Sequence, residues 1–350
     1  MRPTYLCTVK PCLILSGGIG YATSFTSFTE RVSLMKIFGR RTMGVVALLS
    51  AGAVALAGCS RGEGDESTQS STEAASEERV ASLGLGDADT LLALGITPVT
   101  VAPWGAEGDG DPSGVGPWSK KLLGDAKPET IYNTATGFTA ETFEQITAAD
   151  PTKIIAVNQA VDARAKESLE EIAPTTVKPD GYEDWQIPWE KQVEAIADAV
   201  DKEDDGEKLI KDTEKAFEEF RREHTELQGK SAAIVMPYDG KIGLYTDEDG
   251  RGQFIEDLGM EIPDELKGDG SSFFVDIAPE NYAKLNQVEH LFVLDYNGSA
   301  DVLKKDKTFQ GLDIVKDGRV RYLDTDTGNA MSMPNPVTIP WAIDKFEEKL

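Results

Sequence analysis

Side chains able to contact a ligand recur in this 350-residue chain at one kind of place, directly after a short apolar run. Trp104 follows Val101, Asn158 and Gln159 follow Val157, Tyr238 follows Met236, and Tyr296 follows Leu294. Tyr245 and Arg251 flank one loop, and Trp185 stands at the entrance to an apolar stretch that begins at Trp189. Apolar runs of this kind read as buried strands, and in open α/β sheets ligands bind beyond the carboxyl ends of the strands. The chemistry these types offer is recognition: flat rings cover apolar surface and a guanidinium donates to anionic oxygens. Each aromatic taken singly reads equally well as a half-buried packing residue. Catalysis has no comparable signal, because there is no nucleophile elbow, no phosphate-binding glycine loop and no histidine placed as a base. His224 and His290 have no partner at ligand spacing, so no metal ligation by the protein and no resident cofactor are expected.

The elements that must position these residues fall on both sides of one stretch. Asp205 to Leu227 carries apolar residues at Leu209, Ile210, Ala216, Phe217, Phe220 and Leu227, one face of a 3.6-residue repeat opposite a charged face. Asp204 or Asp205 suits its cap and Gly229 follows its end, so it reads as a rod of about 30 Å. The flanks echo one another. Glu141 to Ile146 leads into Lys153 to Val157, as Glu280 to Leu285 leads into His290 to Leu294; each is a short helix feeding a strand. Leu91 to Ile96 likewise matches Ile255 to Met260, each a helix closed by a glycine suited to a left-handed C-terminal turn. The expected organisation is a first lobe over 79–201, a bridging helix over 202–228 and a second lobe over 229–350. Alternating strands and helices predict an α/β fold with mainly parallel sheets. Ser231 to Met236, a nearly continuous apolar run, reads as a parallel strand. The proline-studded Met331 to Pro336 reads as a loop before a last helix at Thr338 to Leu350.

The formal net charge is −26. Residues 1–58 hold Arg2, Lys10, Arg31, Lys36, Arg40 and Arg41 against Glu30 alone, so the remainder is more acidic still. Such a surface repels nucleic acid and anionic lipid. Lys36, Arg40 and Arg41 precede an apolar run from Thr42 to Leu56 and then Leu56-Ala57-Gly58-Cys59. This is the pattern of an export signal over 1–58, with Met35 able to start a signal of ordinary length and 1–34 then upstream of it. The quartet resembles the bacterial lipobox, which makes Cys59 a lipidation site holding the protein at the outer face of the cytoplasmic membrane. Cys7 and Cys12 precede that point, so no disulfide is expected in the exported chain. Residues 59–78, polar and without aromatics, read as a flexible tether.

Four longer segments carry a resemblance to a family: Arg79 to Val101, Tyr245 to Met260, Phe309 to Leu323 and Met333 to Phe346. They resemble the iron-siderophore substrate-binding lipoproteins of ABC importers, the class III periplasmic binding proteins. The resemblance implies two Rossmann-like lobes joined by a single long helix, a ligand cleft between them, delivery to an ABC transporter permease, a monomer, and no chemistry on the ligand. It ranks Arg251 first among the ligand contacts, ahead of Trp104, Tyr238, Tyr245, Tyr296 and Trp185. It also implies permease docking through one carboxylate per lobe, with Asp89 and Glu256 on the corresponding helices. The acidic charge favours a ferric hydroxamate, which leaves a neutral or cationic complex, over a triply negative tris-catecholate. A cobalamin or haem carrier of the same fold, and a secreted hydrolase, are the alternative readings.

Overall fold

Five strands, β1 (Val80–Ser82), β2 (Thr100–Val101), β3 (Glu129–Thr130), β4 (Lys153–Ala156) and β5 (Thr175–Val177), form a sheet in the order β3-β2-β1-β4-β5 with every pair parallel. They belong to a computed structural model that describes residues 78–350 apart from 104–106, 109, 133 and 269–271. The expected export signal, Cys59, the tether as far as residue 77 and Trp104 therefore lie outside the described residues. The sheet is buried on both faces, as its uninterrupted apolar runs require. Val80 and Ile155 face Leu91 and Ile196 on helices Asp87–Ala93 and Trp189–Ala199; Ala81 and Ile154 face Ile146 and Leu169 on Ala140–Ala148 and Ala163–Glu170.

A second, separate sheet follows: β6 (Ala232–Tyr238), β7 (Lys241–Tyr245), β8 (Phe274–Ile277), β9 (His290–Asp295) and β10 (Val320–Asp324), in the order β10-β9-β6-β7-β8. β6, β9 and β10 run parallel, while β7 and β8 are antiparallel to their neighbours. The β6 run is a parallel strand on its β9 side, and the antiparallel pair β7 and β8 makes the sheet mainly parallel on one half only. Asp239 (φ 47°) and Gly240 (φ 75°) both take left-handed conformations, so the chain reverses in a two-residue hairpin instead of crossing over. β8 has no apolar alternation to betray it, and it is held by pairing with β7 from Ile242–Ile277 to Tyr245–Phe274. Two other expectations change in detail. The segment around Glu280 to Leu285 is a 3₁₀ stretch, Pro279–Gln287, and Met331 and Ser332 end a helix, Thr325–Ser332, before the loop begins.

The repeated glycines perform as their positions predict. Gly95 (φ 79°) and Gly259 (φ 89°) each close a Schellman turn, with Ile96 N–H donating to Leu91 O at 2.9 Å and Met260 N–H to Ile255 O at 3.2 Å.

Between the sheets lies the bridging helix Glu203–Glu223, extended by a 3₁₀ turn at Thr225–Leu227. It begins two residues before the expected start, and neither Asp204 nor Asp205 caps it. They sit instead in its first turn with Glu203, while Arg221 and Arg222 occupy the last, so the charges interact favourably with the helix dipole at both ends. Its amino-terminal part packs on the first lobe through Leu209, and Phe217 and Phe220 enter the core of the second. At Gly206 it passes so close to helix Trp189–Ala199 that a Cβ there would lie 2.5 Å from Ala197 Cβ. Alanine at 206 gains about 1 kcal/mol of helix propensity but must push the two helices apart. Gly206→Ala is therefore expected to lower stability by about 1–3 kcal/mol in urea denaturation. An unchanged or higher midpoint would show that the two helices have room to spare.

Candidate ligand-binding cleft

The strand order places a crevice at the carboxyl edge of the first sheet between β1 and β4, where the connections leave in opposite directions. The protein fills it with its own side chain. Asp87, 1% exposed, accepts from Val157 N–H at 2.8 Å and from Asn158 N–H at 3.2 Å, and Asn158 Nδ2 donates to Leu85 O at 2.8 Å. Asn158 and Gln159, sequence candidates for ligand contact, are both buried, and Asn158 ties the two strand ends together. Burial pushes the Asp87 carboxyl up to about 7 in spite of the two backbone donors.

On the second lobe the structure brings three sequence candidates together. Asp249 caps helix Gly250–Asp257 by accepting from Arg251 N–H at 2.8 Å, and the same carboxylate holds Arg251 Nη1 at 2.9 and 3.0 Å. Arg251 lies over the Tyr245 ring, 4.0 Å from its centre. Gly252 lets the turn close, since a Cβ there would meet Thr246 O at 1.9 Å. Burial opposes the Arg251 cation, but the Asp249 charge with Tyr296 and Tyr245 beside it more than offsets this, so the guanidinium is held more firmly charged than usual. Burial also pushes the Tyr245 phenol up to about 12. Tyr296 follows β9 and rests against Gly328 of helix Thr325–Ser332. Among the described residues, Arg251 Nε and Tyr296 Oη have no hydrogen-bond partner.

The other candidates stand apart from this cluster. Tyr238 is bonded to the Asp276 carboxylate, which also pairs with Lys241, and meets Phe274 edge-on at 6.0 Å, all on the β6–β8 side. Trp185, 37% exposed with φ 61°, is on the first-lobe loop after β5. Glu256 is partly exposed and pairs with Lys267 at 2.9 Å; Lys267 also reaches Asp247 at 2.9 Å.

Asp89 is a correction. A docking carboxylate must reach a partner's surface, whereas Asp89 is 4% exposed and accepts hydrogen bonds from Trp118, Ser119 and Asn335. Burial pushes its carboxyl up and these three donors hold it back. Asp89 instead borders a pocket of about 280 Å³ between the lobes, with Asp111 and Trp118 on one side and Asp326, Asn329 and Met333 on the other. Lys120, the cation at this pocket, is paired with Asp111. Sequence reasoning missed Asp87, Asp249 and Asn335. Asp249 was legible as an aspartate before a helix start, whereas nothing local marks the other two.

With this geometry in view, the relatives define the class. Residues 80–327 match the periplasmic binding protein family, and the chain belongs to that family. Among curated proteins it is similar to the probable siderophore-binding lipoprotein YfiY of Bacillus subtilis, 26% identical over 192 residues. That match covers 55% of this chain and 54% of YfiY, so it spans about half the length of the curated relative. Among solved structures, PiaA of Streptococcus pneumoniae in complex with ferrichrome is similar at 26% identity and a TM-score of 0.65, covering 77% of this chain and 91% of that one. A periplasmic solute binding protein of Mycobacterium smegmatis is similar at 26% identity and a TM-score of 0.68, covering 77% and 90%.

The buried acid at β1–β4 has a measurable consequence. Its folded value of about 7 lies above the ordinary 3.8, so the folded state holds the proton more tightly. The stability it contributes is complete below the unfolded value and is lost as pH rises through 7. In denaturant titrations from pH 5 to 8, the stability of the wild type relative to Asp87→Asn is expected to fall by about 1–3 kcal/mol. A difference that stays flat would mean that the carboxyl titrates at its ordinary value.

Proposed function

We propose that this protein captures a ferric siderophore of the hydroxamate type in the cleft between its lobes and hands it to an ABC transporter permease. The observation that carries the proposal is the Arg251 cluster: a buried guanidinium fixed by Asp249 over Tyr245, next to a Tyr296 hydroxyl without a hydrogen-bond partner among the described residues. These are donors suited to the oxygens of a chelate that arrives with its iron already wrapped. Membership of the periplasmic binding protein family, the name of the Bacillus relative and the ferrichrome held by PiaA support the same reading. The acidic pocket wall of Asp111 and Asp326 supports a neutral or cationic chelate over a tris-catecholate. Attachment through a lipid on Cys59, at the outer face of the cytoplasmic membrane, completes the proposal, with Glu256 as a docking carboxylate toward the permease.

Tryptophan quenching against ferrichrome, ferrioxamine B and a ferric tris-catecholate tests it. Saturable quenching by the hydroxamates is expected, with the catecholate bound more weakly or not at all; the reverse order would overturn the hydroxamate assignment. Tyr296→Phe removes a hydroxyl that has no hydrogen-bond partner among the described residues, so it is expected to weaken ferrichrome binding about five- to tenfold with little change in the melting temperature. Unaltered affinity would remove Tyr296 from the site. Glu256→Ala is expected to cut siderophore uptake by cells and to leave the affinity of the purified protein intact.

A further inference from the structure

Three segments of the chain meet at the Asp89 carboxylate. Oδ2 accepts from Trp118 Nε1 at 2.9 Å and from Asn335 Nδ2 at 3.3 Å, and Oδ1 accepts from Ser119 Oγ at 2.5 Å. Asp89, Trp118 and Ser119 belong to the first lobe; Asn335 lies 246 positions beyond Asp89, in the turn before helix Thr338–Glu347 of the second. Trp118 also meets Trp341 of that helix edge-on, with ring centres 5.5 Å apart.

A leucine or isoleucine at 89 would pack this helix against its neighbours without burying a polar group, so packing alone does not account for a carboxylate here. Its partner set suits an ionised acid, because an indole N–H and an amide NH₂ only donate. The amide is aimed at it from its own side. Asn335 Oδ1 accepts from Val337 N–H at 2.9 Å and Thr338 N–H at 3.0 Å, which turns Nδ2 toward Asp89 and Met333 O. A group that draws its donors from both lobes specifies where the lobes sit relative to one another.

We propose that Asp89 is the positioning residue of the cleft, a latch that reaches across to Asn335, sets the separation of the two lobes and holds Trp118 against Trp341 as a wall of the pocket. The latch acts in the empty protein, so it stands apart from the identity of the ligand.

Asn335→Asp tests this contact. The new side chain keeps both acceptor bonds to Val337 and Thr338 and replaces the amide NH₂ that faces Asp89 and Met333 O, setting two carboxylates against each other; the lost bond to Met333 O is common to this and the double variant, so the difference between them reads the Asp89 contact. The double variant Asp89→Asn with Asn335→Asp again pairs one amide with one carboxylate. On the unliganded full chain, acrylamide quenching of tryptophan is expected to rise about twofold in N335D, with a red-shifted emission, and to return to the wild-type value in the double variant. With ferrichrome, dissociation is expected to be about tenfold faster in N335D and restored in the pair. Equal quenching in N335D and wild type, or a double variant as exposed as N335D, would overturn the latch. Should N335D not fold, Trp118→Phe keeps an aromatic ring and loses the indole N–H. Amide exchange at Val337 and Thr338 is then expected to rise about tenfold, and unchanged exchange would overturn the proposal. A wild type that binds no ferrichrome would end the siderophore reading while the quenching comparison still decides the latch.

Discussion

One helix anchored in two cores governs this molecule. Leu209 is packed on the first lobe and Phe217 and Phe220 on the second, so the lobes cannot move apart without pulling an aromatic or aliphatic side chain out of a core. Exposing even one such side chain costs about 1.5–3 kcal/mol. The rod is not alone in this. Trp189, on a first-lobe helix, is buried with the core of the second, and Trp118 packs against that core from the first-lobe loop. Hinge closure needs a few terminal or loop residues that absorb a large backbone change. Here a continuous 21-residue helix and aromatic contacts on both sides of it oppose such a change, which suits a cleft formed before its ligand arrives.

The polar groups buried nearest that cleft share one design. Asp87, Asp89 and the Asp249–Arg251 pair are all nearly inaccessible; Asp87 and Asp89 accept from donors on distant segments, and Asp249 accepts from the helix start that follows it. Taking charge out of water is costly unless it is paired and hydrogen-bonded. Placing such groups at strand ends, a helix start and the lobe boundary, instead of inside the apolar cores, ties those places into one geometry. The loose ends are informative: among the described residues, Arg251 Nε and Tyr296 Oη lack hydrogen-bond partners.

Much of the fold was legible locally. The apolar face of the bridging helix, the Schellman glycines Gly95 and Gly259, and helix Ala140–Ala148 follow from spacing and capping that neighbouring residues enforce. The convergence of Tyr245, Arg251 and Tyr296 was not legible in this way, because antiparallel β7 ends at the sheet edge opposite the carboxyl end of β9. Strand direction was harder. β6 is as apolar as a parallel strand because it lies between β9 and β7, and only the left-handed pair Asp239 and Gly240 reveals that one neighbour is antiparallel.

Asp89 shows where sequence reasoning stops. An aspartate in the first turn of a helix looks the same whether it faces solvent or a lobe boundary, because the helix dipole favours it in both places. Its burial depends on Trp118, Ser119 and Asn335, and the last of these lies 246 positions away in the other lobe. What the order of residues determined by itself was the set of elements, their caps, their apolar faces and the acidic surface, all of which arise from interactions within a few positions. The tertiary structure decided which carboxylates lose their water, since desolvation depends on what packs over a group and not on the residues beside it in the chain.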